Sequence, residues 1–440
     1  MCESRCAKTE VITAAAMAGL EHDRLPMLDA VGFHKHFATL TRSQRDFIAL
    51  LNEWFRGGRR EFLFVLVTGG PGCGKTHAVV ETLRYLDLRV AKMSFTARLA
   101  RKIGGATVHK TLFPDSWSRN ALTEVWNGLE HNEDVEECLK ISSRLADCIS
   151  CDRPVDVVVV DEIGMLPFWL TYRIGAHFRS RRPSVAMICM GDVRQLRPVK
   201  SRISLFHIDF DRYFPGSKKI EMNESKRFTP EYEKIIDRLR ELMVDEVEEN
   251  EEENHPLIRY VSETFPVVDC LTQEMMSRAR FVLAFKNETV NACNEFYLNV
   301  MMAQRREFVF PVLERSGWRV SKDAEPTRLR EGCRAMVTQN NCGEGVCNGS
   351  SVQFLDYDRS KDVAVCRRVD TGEIVRVRRS AYNGGIPLVP GFAITIHKFQ
   401  GETIDDDDIL MCFDKSKDVN LIYTALSRVR DVSQIMAVVL

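Results

Sequence analysis

The segment that most constrains this chain is Gly69-Gly70-Pro71-Gly72-Cys73-Gly74-Lys75-Thr76, which fits the spacing G-x-x-x-x-G-K-[ST]. It directly follows an apolar run, Phe62 to Val67, and precedes a helical pattern from His77 to Leu86. Glycines let consecutive backbone N–H groups close on phosphate oxygens, and the helix N-terminus favours the same negative charge. In such a loop Gly70, Pro71, Gly72, Cys73 and Gly74 cradle the phosphates, Lys75 neutralises β/γ-phosphate charge and Thr76 offers its hydroxyl to magnesium. Strand, phosphate loop and helix in this order predict nucleotide binding on an α/β fold.

Further apolar runs support that class. Val90 to Phe95, Val155 to Val160 and Val185 to Met190 are short, valine-rich and separated by helical stretches, as buried parallel strands are. A second series, Phe281 to Phe285, Ile409 to Phe413 and Ile435 to Leu440, predicts a second sheet. We therefore expect two α/β domains, each a parallel sheet covered on both faces: residues 36–205 and 206–440, after an N-terminal extension, 1–35. The segment from about 107 to 152, holding Trp117 and Trp126, is too long for a simple crossover and predicts an inserted subdomain. Alternating residues in Val363 to Val369 and Ile374 to Arg378, with Asn348-Gly349 as a hairpin signal, predict a small β-barrel-like insertion over about 330–388.

Lysine plus arginine total 61 against 62 acidic residues, which argues against a uniformly basic nucleic-acid binder. The acids are clustered, however. Asp245 to Asn254 holds seven and Asp405 to Asp408 four, so the remaining 51 are outnumbered by the 61 basic residues. A basic groove is compatible with that surplus, and the 245–254 run is expected as a solvated loop. Arg179 to Arg182 and Arg376 to Arg379 could bind phosphates, with solvated surface as the default. The 14 scattered cysteines read as buried thiols of a reduced, intracellular protein. Cys148 with Cys151 and Cys342 with Cys347 each lack a matching second pair for zinc. No uncharged apolar run approaches the roughly 20 residues of a membrane helix, and the longest, Val11 to Leu20, lacks the basic flank of a secretion signal.

Two strand ends carry the remaining chemistry. Val157 to Val160 runs into Asp161-Glu162; the first carboxylate can orient magnesium and the second can polarise the attacking water. Met190-Gly191-Asp192-Val193-Arg194-Gln195-Leu196-Arg197-Pro198-Val199 sets a glutamine, Gln195, where it can contact the γ-phosphate and report its loss. Later come Thr395-Ile396-His397-Lys398-Phe399-Gln400-Gly401-Glu402 and Tyr423-Thr424-Ala425-Leu426-Ser427-Arg428-Val429-Arg430.

This set, in this order, resembles superfamily 1 helicases of the B branch, and among them the Pif-like DNA helicases with the RecD-type enzymes as relatives. The resemblance runs from about Leu40 to the C-terminus and implies two RecA-like domains. It implies that Gln44, in Leu40-Thr41-Arg42-Ser43-Gln44, contacts the adenine, and that Gly401 and Glu402 belong to the nucleotide site. It implies an arginine from the second domain at the γ-phosphate, matched by Arg227 in Asn223-Glu224-Ser225-Lys226-Arg227-Phe228, and a further one, Arg428. DNA contacts are implied for Arg98, Thr107, His109, Asn287, Thr395, His397 and Lys398. Ala97 and Arg98 replace the family's glycine and lysine, so charge survives there. Asn287 lies in Ala284-Phe285-Lys286-Asn287, followed by Val290 and Asn294, and Asn348-Gly349 matches the barrel insertion. Phe399 replaces the usual serine; it is either a stacking surface for a base or a packing residue.

The function implied is an ATP- and Mg²⁺-dependent DNA helicase, translocating 5′-to-3′ on single-stranded DNA in replication, repair or recombination. It would work as a monomer on single strands and junctions, alongside replication proteins, in the nucleus or at a viral replication site. ATP on the first domain would be completed by second-domain arginines, with segment 107–152 as the wedge. The rivals are a plus-strand viral RNA helicase and a DNA-binding, ATP-sensing scaffold. The scaffold would be expected to lack Glu162 or Arg428, and both are present. The short flanks on either side of the motifs and the diverged residues are compatible with a viral or mobile-element motor.

Overall fold

The computed structural model describes residues 28–440 apart from 60, 152, 199–200, 202, 244–254, 313–324, 341 and 381–383. The expected acidic loop at 245–254 and the Val11 to Leu20 run lie outside the described residues. The chain forms two compact units: one reaches Val193 and resumes at Arg197–Arg227, and the other joins Arg194–Leu196 to Phe228–Leu440.

The first unit is built on a wholly parallel sheet. Its strands are β1 (Leu63–Gly69), β2 (Val90–Ser94), β3 (Ala106–Thr107), β4 (Val157–Asp161), β5 (Ala186–Gly191) and β6 (Lys218–Met222). Their order is β3-β2-β4-β5-β1-β6. The unbroken valines follow from burial on two sides. Val158 and Val160 pack with Phe64, Leu66, Ile174 and Phe178, whereas Val157 and Val159 pack with Val65, Val67, Val79, Leu83, Ile48 and Leu51. Each valine is withdrawn from water, which contributes roughly 1.5–3 kcal/mol apiece.

β6 corrects the expected domain boundary at 205. It pairs with β1 in parallel, Val67 opposite Ile220 and Gly69 opposite Met222, so residues 206–227 belong to the first unit. An edge strand needs only one buried face, and Lys218, Lys219 and Glu221 of β6 are exposed; the charged pattern conceals the strand. Between β3 and β4 the insertion is helical: Val108–Leu112, Ser116–Gly128 and Val135–Ser142, the last two capped by Asp115 and Asp134.

Asp156 ties this sheet together at its opposite end. It is 6% exposed and accepts from the Arg89 N–H and Nε at 2.9 Å, from Arg89 Nη2 at 3.0 Å, and from Arg59. The guanidinium groups hold its carboxyl well below the ordinary carboxylate range, with the Arg89 hydrogen bond the largest cause. Arg89 is largely solvated, so Asp156→Ala is expected to cost about 2–3 kcal/mol rather than the full penalty of a buried broken pair. Thermal unfolding should fall by roughly 5–10 °C. Because the folded pKa is depressed, this stability is fully present above the unfolded value near 3.9 and is lost as pH falls through the folded one. The difference in melting temperature between wild type and variant should therefore hold from pH 8 to 5 and shrink below about pH 4. A constant difference down to pH 2 would refute the assignment.

The second unit carries its own parallel sheet. In chain order its strands are β7 (Phe281–Ala284), β8 (Glu307–Phe310), β9 (Thr327–Arg330), β10 (Arg334–Val337), β11 (Ser351–Asp358), β12 (Val363–Arg368), β13 (Ile374–Arg378), β14 (Leu388–Pro390), β15 (Ala393–Thr395), β16 (Ile409–Cys412) and β17 (Ile435–Val439). Four form the parallel sheet β15-β7-β16-β17. Leu283, Ile394, Met411 and Val438 face one layer, with Tyr232, Leu421 and Leu426; Val282, Ala393, Leu410 and Ala437 face the other, with Cys293 and Phe392.

The inserted β-structure is the antiparallel sheet β13-β12-β11-β10-β14 with the β8–β9 pair, sharing a core of Phe308, Phe310, Leu329, Phe354, Cys366 and Val377. It begins at β8, earlier than the expected 330. Asn348-Gly349 does not close a two-residue hairpin; Gly349, at φ 90°, ends a longer loop between β10 and β11. Asp405 to Asp408 is partly neutralised, Asp405 by Arg430 and Asp406 by Arg334, each at 2.8 Å. No helix of the described residues is long and apolar enough to cross a membrane.

Candidate functional site

The phosphate loop leaves the C-terminal end of β1 and enters a helical run over 77–84. Gly72 and Gly74 adopt φ of 80° and 75°, a region that costs an L side chain about 1–2 kcal/mol. Neither has room for a Cβ: at Gly72 it would lie 2.4 Å from the Arg227 Cβ, and at Gly74 2.5 Å from Gln44 Nε2. The Lys75 ammonium folds over the loop and donates to the Gly69 and Gly70 carbonyls at 2.7 and 3.1 Å.

β4 brings Asp161 to the same loop, where it accepts from the Thr76 hydroxyl at 3.5 Å. Burial first, then the charge of Glu162, pushes the Asp161 carboxyl up, although Lys75 and Lys102 pull it down. A buried carboxylate beside a hydroxyl is a hard oxygen donor set that suits a divalent cation such as magnesium. Glu162 follows in the left-handed region, φ 53° and ψ 49°, its N–H donating to Asp161 Oδ1 at 3.0 Å. A glutamate held there at a strand end is a strained turn at the site where the water-activating group is expected.

Two expected contributors arrive differently. Arg227, expected from the second domain, belongs to the first unit. β6 runs parallel to β1, so the segment after it emerges beside the loop after β1 and straps it. The Ser225 hydroxyl donates to the Pro71 carbonyl at 3.2 Å, Lys226 N–H to the Gly72 carbonyl at 3.1 Å, and Arg227 N–H to Ser225 Oγ at 3.3 Å. Gln44, expected at the adenine, is 2% exposed and engages both ends of its amide structurally. Its Oε1 accepts from Thr41 N–H at 3.0 Å in a capping box, and its Nε2 donates to the Cys73 carbonyl at 2.8 Å, so it ties the opening helix Arg42–Arg56 to the phosphate loop.

Gln195 and Arg428 both belong to the second unit. Gln195 is 6% exposed within the Arg194–Leu196 segment. Arg428 is 2% exposed, so it is not a surface arginine. It follows the helix Val419–Leu426 and donates to the Thr424 carbonyl at 2.8 Å, to the Glu402 carbonyl at 3.3 Å and to Ser427 Oγ at 2.8 Å. A cation on the last carbonyls of a helix also complements its dipole. Glu402 thus meets Arg428 through its backbone, next to Gly401 at φ 79°.

The expected DNA contacts cluster at the C-terminal ends of neighbouring strands, where open α/β sheets bind ligands. In the first unit β2 and β3 pair, Ser94 opposite Thr107, and lead to Arg98 and His109. The Thr107 hydroxyl already caps the helix Val108–Leu112 by accepting Lys110 N–H. Burial lowers the pKa of His109, whose ring lies 5.8 Å from Phe95 and 6.1 Å from Trp126. In the second unit β15 and β7 pair, Thr395 opposite Ala284, and bring Thr395, His397, exposed Lys398 and exposed Asn287 to one edge. Burial lowers the pKa of His397, against a smaller opposite effect of Asp418.

Of the two readings of Phe399, the structure has the packing one. It is 7% exposed with its ring 5.3 Å from Phe281, a packing residue and not a stacking surface, because the short helix Ile396–Phe399 turns that position into the core. The arginine runs are mainly structural: Arg182 donates to the Cys151 and Arg153 carbonyls and Arg379 to the Pro311 and Gly384 carbonyls, while Arg376 and Arg378 point outward from β13. Cys138, Cys148 and Cys151 each donate to a separate backbone carbonyl, and among the described residues no three or more His, Cys, Asp or Glu side chains are grouped to hold a metal ion.

Sequence reasoning gave no role to Ser225, Asn294, Asn420 or Thr424. Asn294 holds β15 bidentately, accepting the Ala393 N–H at 2.9 Å and donating to its carbonyl at 3.0 Å. The family-like spacing Asn287, Val290, Asn294 marked this residue, but nothing in the spacing pointed to its partner Ala393.

Comparison with known proteins agrees with this architecture. A family profile described as an AAA domain matches residues 60–201. The ATP-dependent DNA helicase Pif1 of Bdellovibrio bacteriovorus is 25% identical over 97% of this chain and 92% of its own length. That of Campylobacter jejuni is 23% identical over 83% and 86%. The crystal structure of Bacteroides Pif1 bound to ssDNA matches with a TM-score of 0.60 at 20% identity, covering 90% of this chain and 92% of that one. The fold is that of two RecA-like domains with small insertions.

Proposed function

We propose that this chain, a Pif1-like helicase of superfamily 1B in sequence and fold, couples ATP hydrolysis to movement along single-stranded DNA and to separation of the duplex ahead. The observation that carries the reading is the convergence, at the C-terminal ends of β1 and β4, of the phosphate loop, the Thr76–Asp161 oxygen pair and the left-handed Glu162. ATP would lie on the loop with Lys75 against its β- and γ-phosphates. Thr76 and Asp161 would hold magnesium, which supplies charge neutralisation of the phosphates. Glu162 would take a proton from the attacking water; the resemblance assigns Arg227 and Arg428 to the charge that develops on the γ-phosphoryl oxygens, and Gln195 to reading whether that group is present.

Arg98 and His109 in one unit, and Asn287, His397 and Lys398 in the other, would carry the DNA backbone. The resemblance supports 5′-to-3′ movement and a monomeric motor acting on junctions in replication, repair or recombination. Buried free thiols such as Cys189 and Cys366 suit a reducing intracellular compartment.

Strand displacement with duplexes bearing either a 5′ or a 3′ single-stranded tail tests the reading directly. Unwinding is expected only with the 5′ tail and only with ATP. Binding to single strands should also weaken steeply with salt, because phosphate contacts release counterions, and should vary little with sequence. Tighter binding to blunt duplex than to single strands, or a flat salt response, would sink the motor reading.

A further inference from the structure

The tripeptide Arg194–Leu196 belongs to the second unit, although β5 before it and Arg197 after it belong to the first. It forms neither strand nor helix, so its backbone polar groups need partners elsewhere. One helix supplies them. Asn420 Nδ2 donates to the Arg194 carbonyl at 2.9 Å and to the Gln195 carbonyl at 3.5 Å, and Leu196 N–H donates to Thr424 Oγ1 at 3.1 Å. Asn420 and Thr424 are one turn apart on the helix Val419–Leu426, hence on one face.

Thr424 has a second engagement. It is fully buried, and its carbonyl accepts the Arg428 Nε–H at 2.8 Å and the Ser427 hydroxyl at 2.9 Å. A single residue therefore holds the backbone next to Gln195 through its side chain and the guanidinium of Arg428 through its main chain. Both hydrogen bonds are buried, where geometry is kept because an unmade bond is costly. We propose that Thr424, assisted by Asn420, is a positioning residue that makes Gln195 and Arg428 one rigid piece, so that loss of the γ-phosphate is answered by both together. The inference rests on the ATP-driven motor reading above.

Threonine fits the task for a specific reason. Valine fills the same space but leaves the Leu196 N–H without an acceptor, while the main-chain bond to Arg428 persists. Serine keeps the hydroxyl and loses only a methyl group. Thr424→Val is therefore expected to lower DNA-stimulated kcat about tenfold, a typical coupling between linked sites, with ATP KM and single-strand Kd nearly unchanged. More ATP should be consumed per base pair displaced. Thr424→Ser should restore most of the turnover.

A double-mutant cycle separates positioning from packing. On a Gln195→Ala background, Thr424→Val should add almost nothing, because the connection already lacks its reading end. Asn420→Ala, at a half-exposed site, should show the same pattern more weakly, and it decides the matter if Thr424→Val does not fold. Normal turnover with a lowered melting temperature, or losses that multiply with those of Gln195→Ala, would overturn the inference. The wild type is assayed first: a protein whose ATPase ignores DNA would refute the motor reading itself, whereas a DNA-stimulated wild type with an unaffected Thr424→Val variant would refute only this proposal.

Discussion

Lys75→Ala is expected to lower ATP hydrolysis by about 10²–10³-fold at every DNA concentration, the usual cost of removing one fixed electrostatic stabiliser. The ammonium sits over the Gly69 and Gly70 carbonyls, within the field of the buried Asp161. Without it, a nucleotide's β- and γ-phosphates would face Asp161 and Glu162 with no lysine to offset the repulsion. Nucleotide affinity should fall as well, so fluorescent-nucleotide binding and single-turnover hydrolysis are measured together. The fold should survive, because the lysine's partners are loop carbonyls and not core groups. A melting temperature within a few degrees of wild type, with hydrolysis lost, is the expected pair of results. Hydrolysis within tenfold of wild type would remove Lys75 from the site.

Arg428→Ala should lower turnover at least as much and stability more. An arginine that stabilises transition-state charge on a transferring phosphoryl group is typically worth about 10³–10⁵ in rate. Such a residue acts more on the transition state than on bound ATP, so nucleotide affinity should change only a few-fold. The structure adds a second consequence. Arg428 is almost fully buried and donates to the Thr424 and Glu402 carbonyls, so its loss removes these hydrogen bonds and leaves a cavity, about 2–4 kcal/mol together. Turnover must therefore be corrected for the folded fraction, and Arg428→Lys, which keeps the charge but not the fork, is the companion variant. If Arg428 only holds the fold, both variants will hydrolyse ATP normally per folded molecule at low temperature. If it meets the phosphoryl charge, both will fail while still binding ATP.

Lys75 is legible in the sequence because its chemistry depends on local spacing: a glycine loop between a buried strand and a helix works wherever it occurs. The four valines before Asp161 are legible for a similar reason, since a strand buried on both faces must be apolar throughout. Motif order alone misplaces Arg227, however, because its position depends on β6, an edge strand whose lysines read as surface. Only pairing with β1 reveals that Ser225, Lys226 and Arg227 lie on the phosphate loop.

The α/β class, the phosphate loop, the carboxylates at the end of β4 and the second sheet can be read along the chain, because all depend on periodicity and spacing over a few adjacent residues. Which side chains hold the site in shape emerges only from the folded chain. Gln44 closing on Cys73, Asn294 clasping Ala393, Phe399 turning into the core against Phe281, and Thr424 reaching Leu196 all join residues far apart in the chain. Hydrogen bonds and packing at such separations depend on how strands are ordered in a sheet, and that order leaves no periodic trace in the residues themselves.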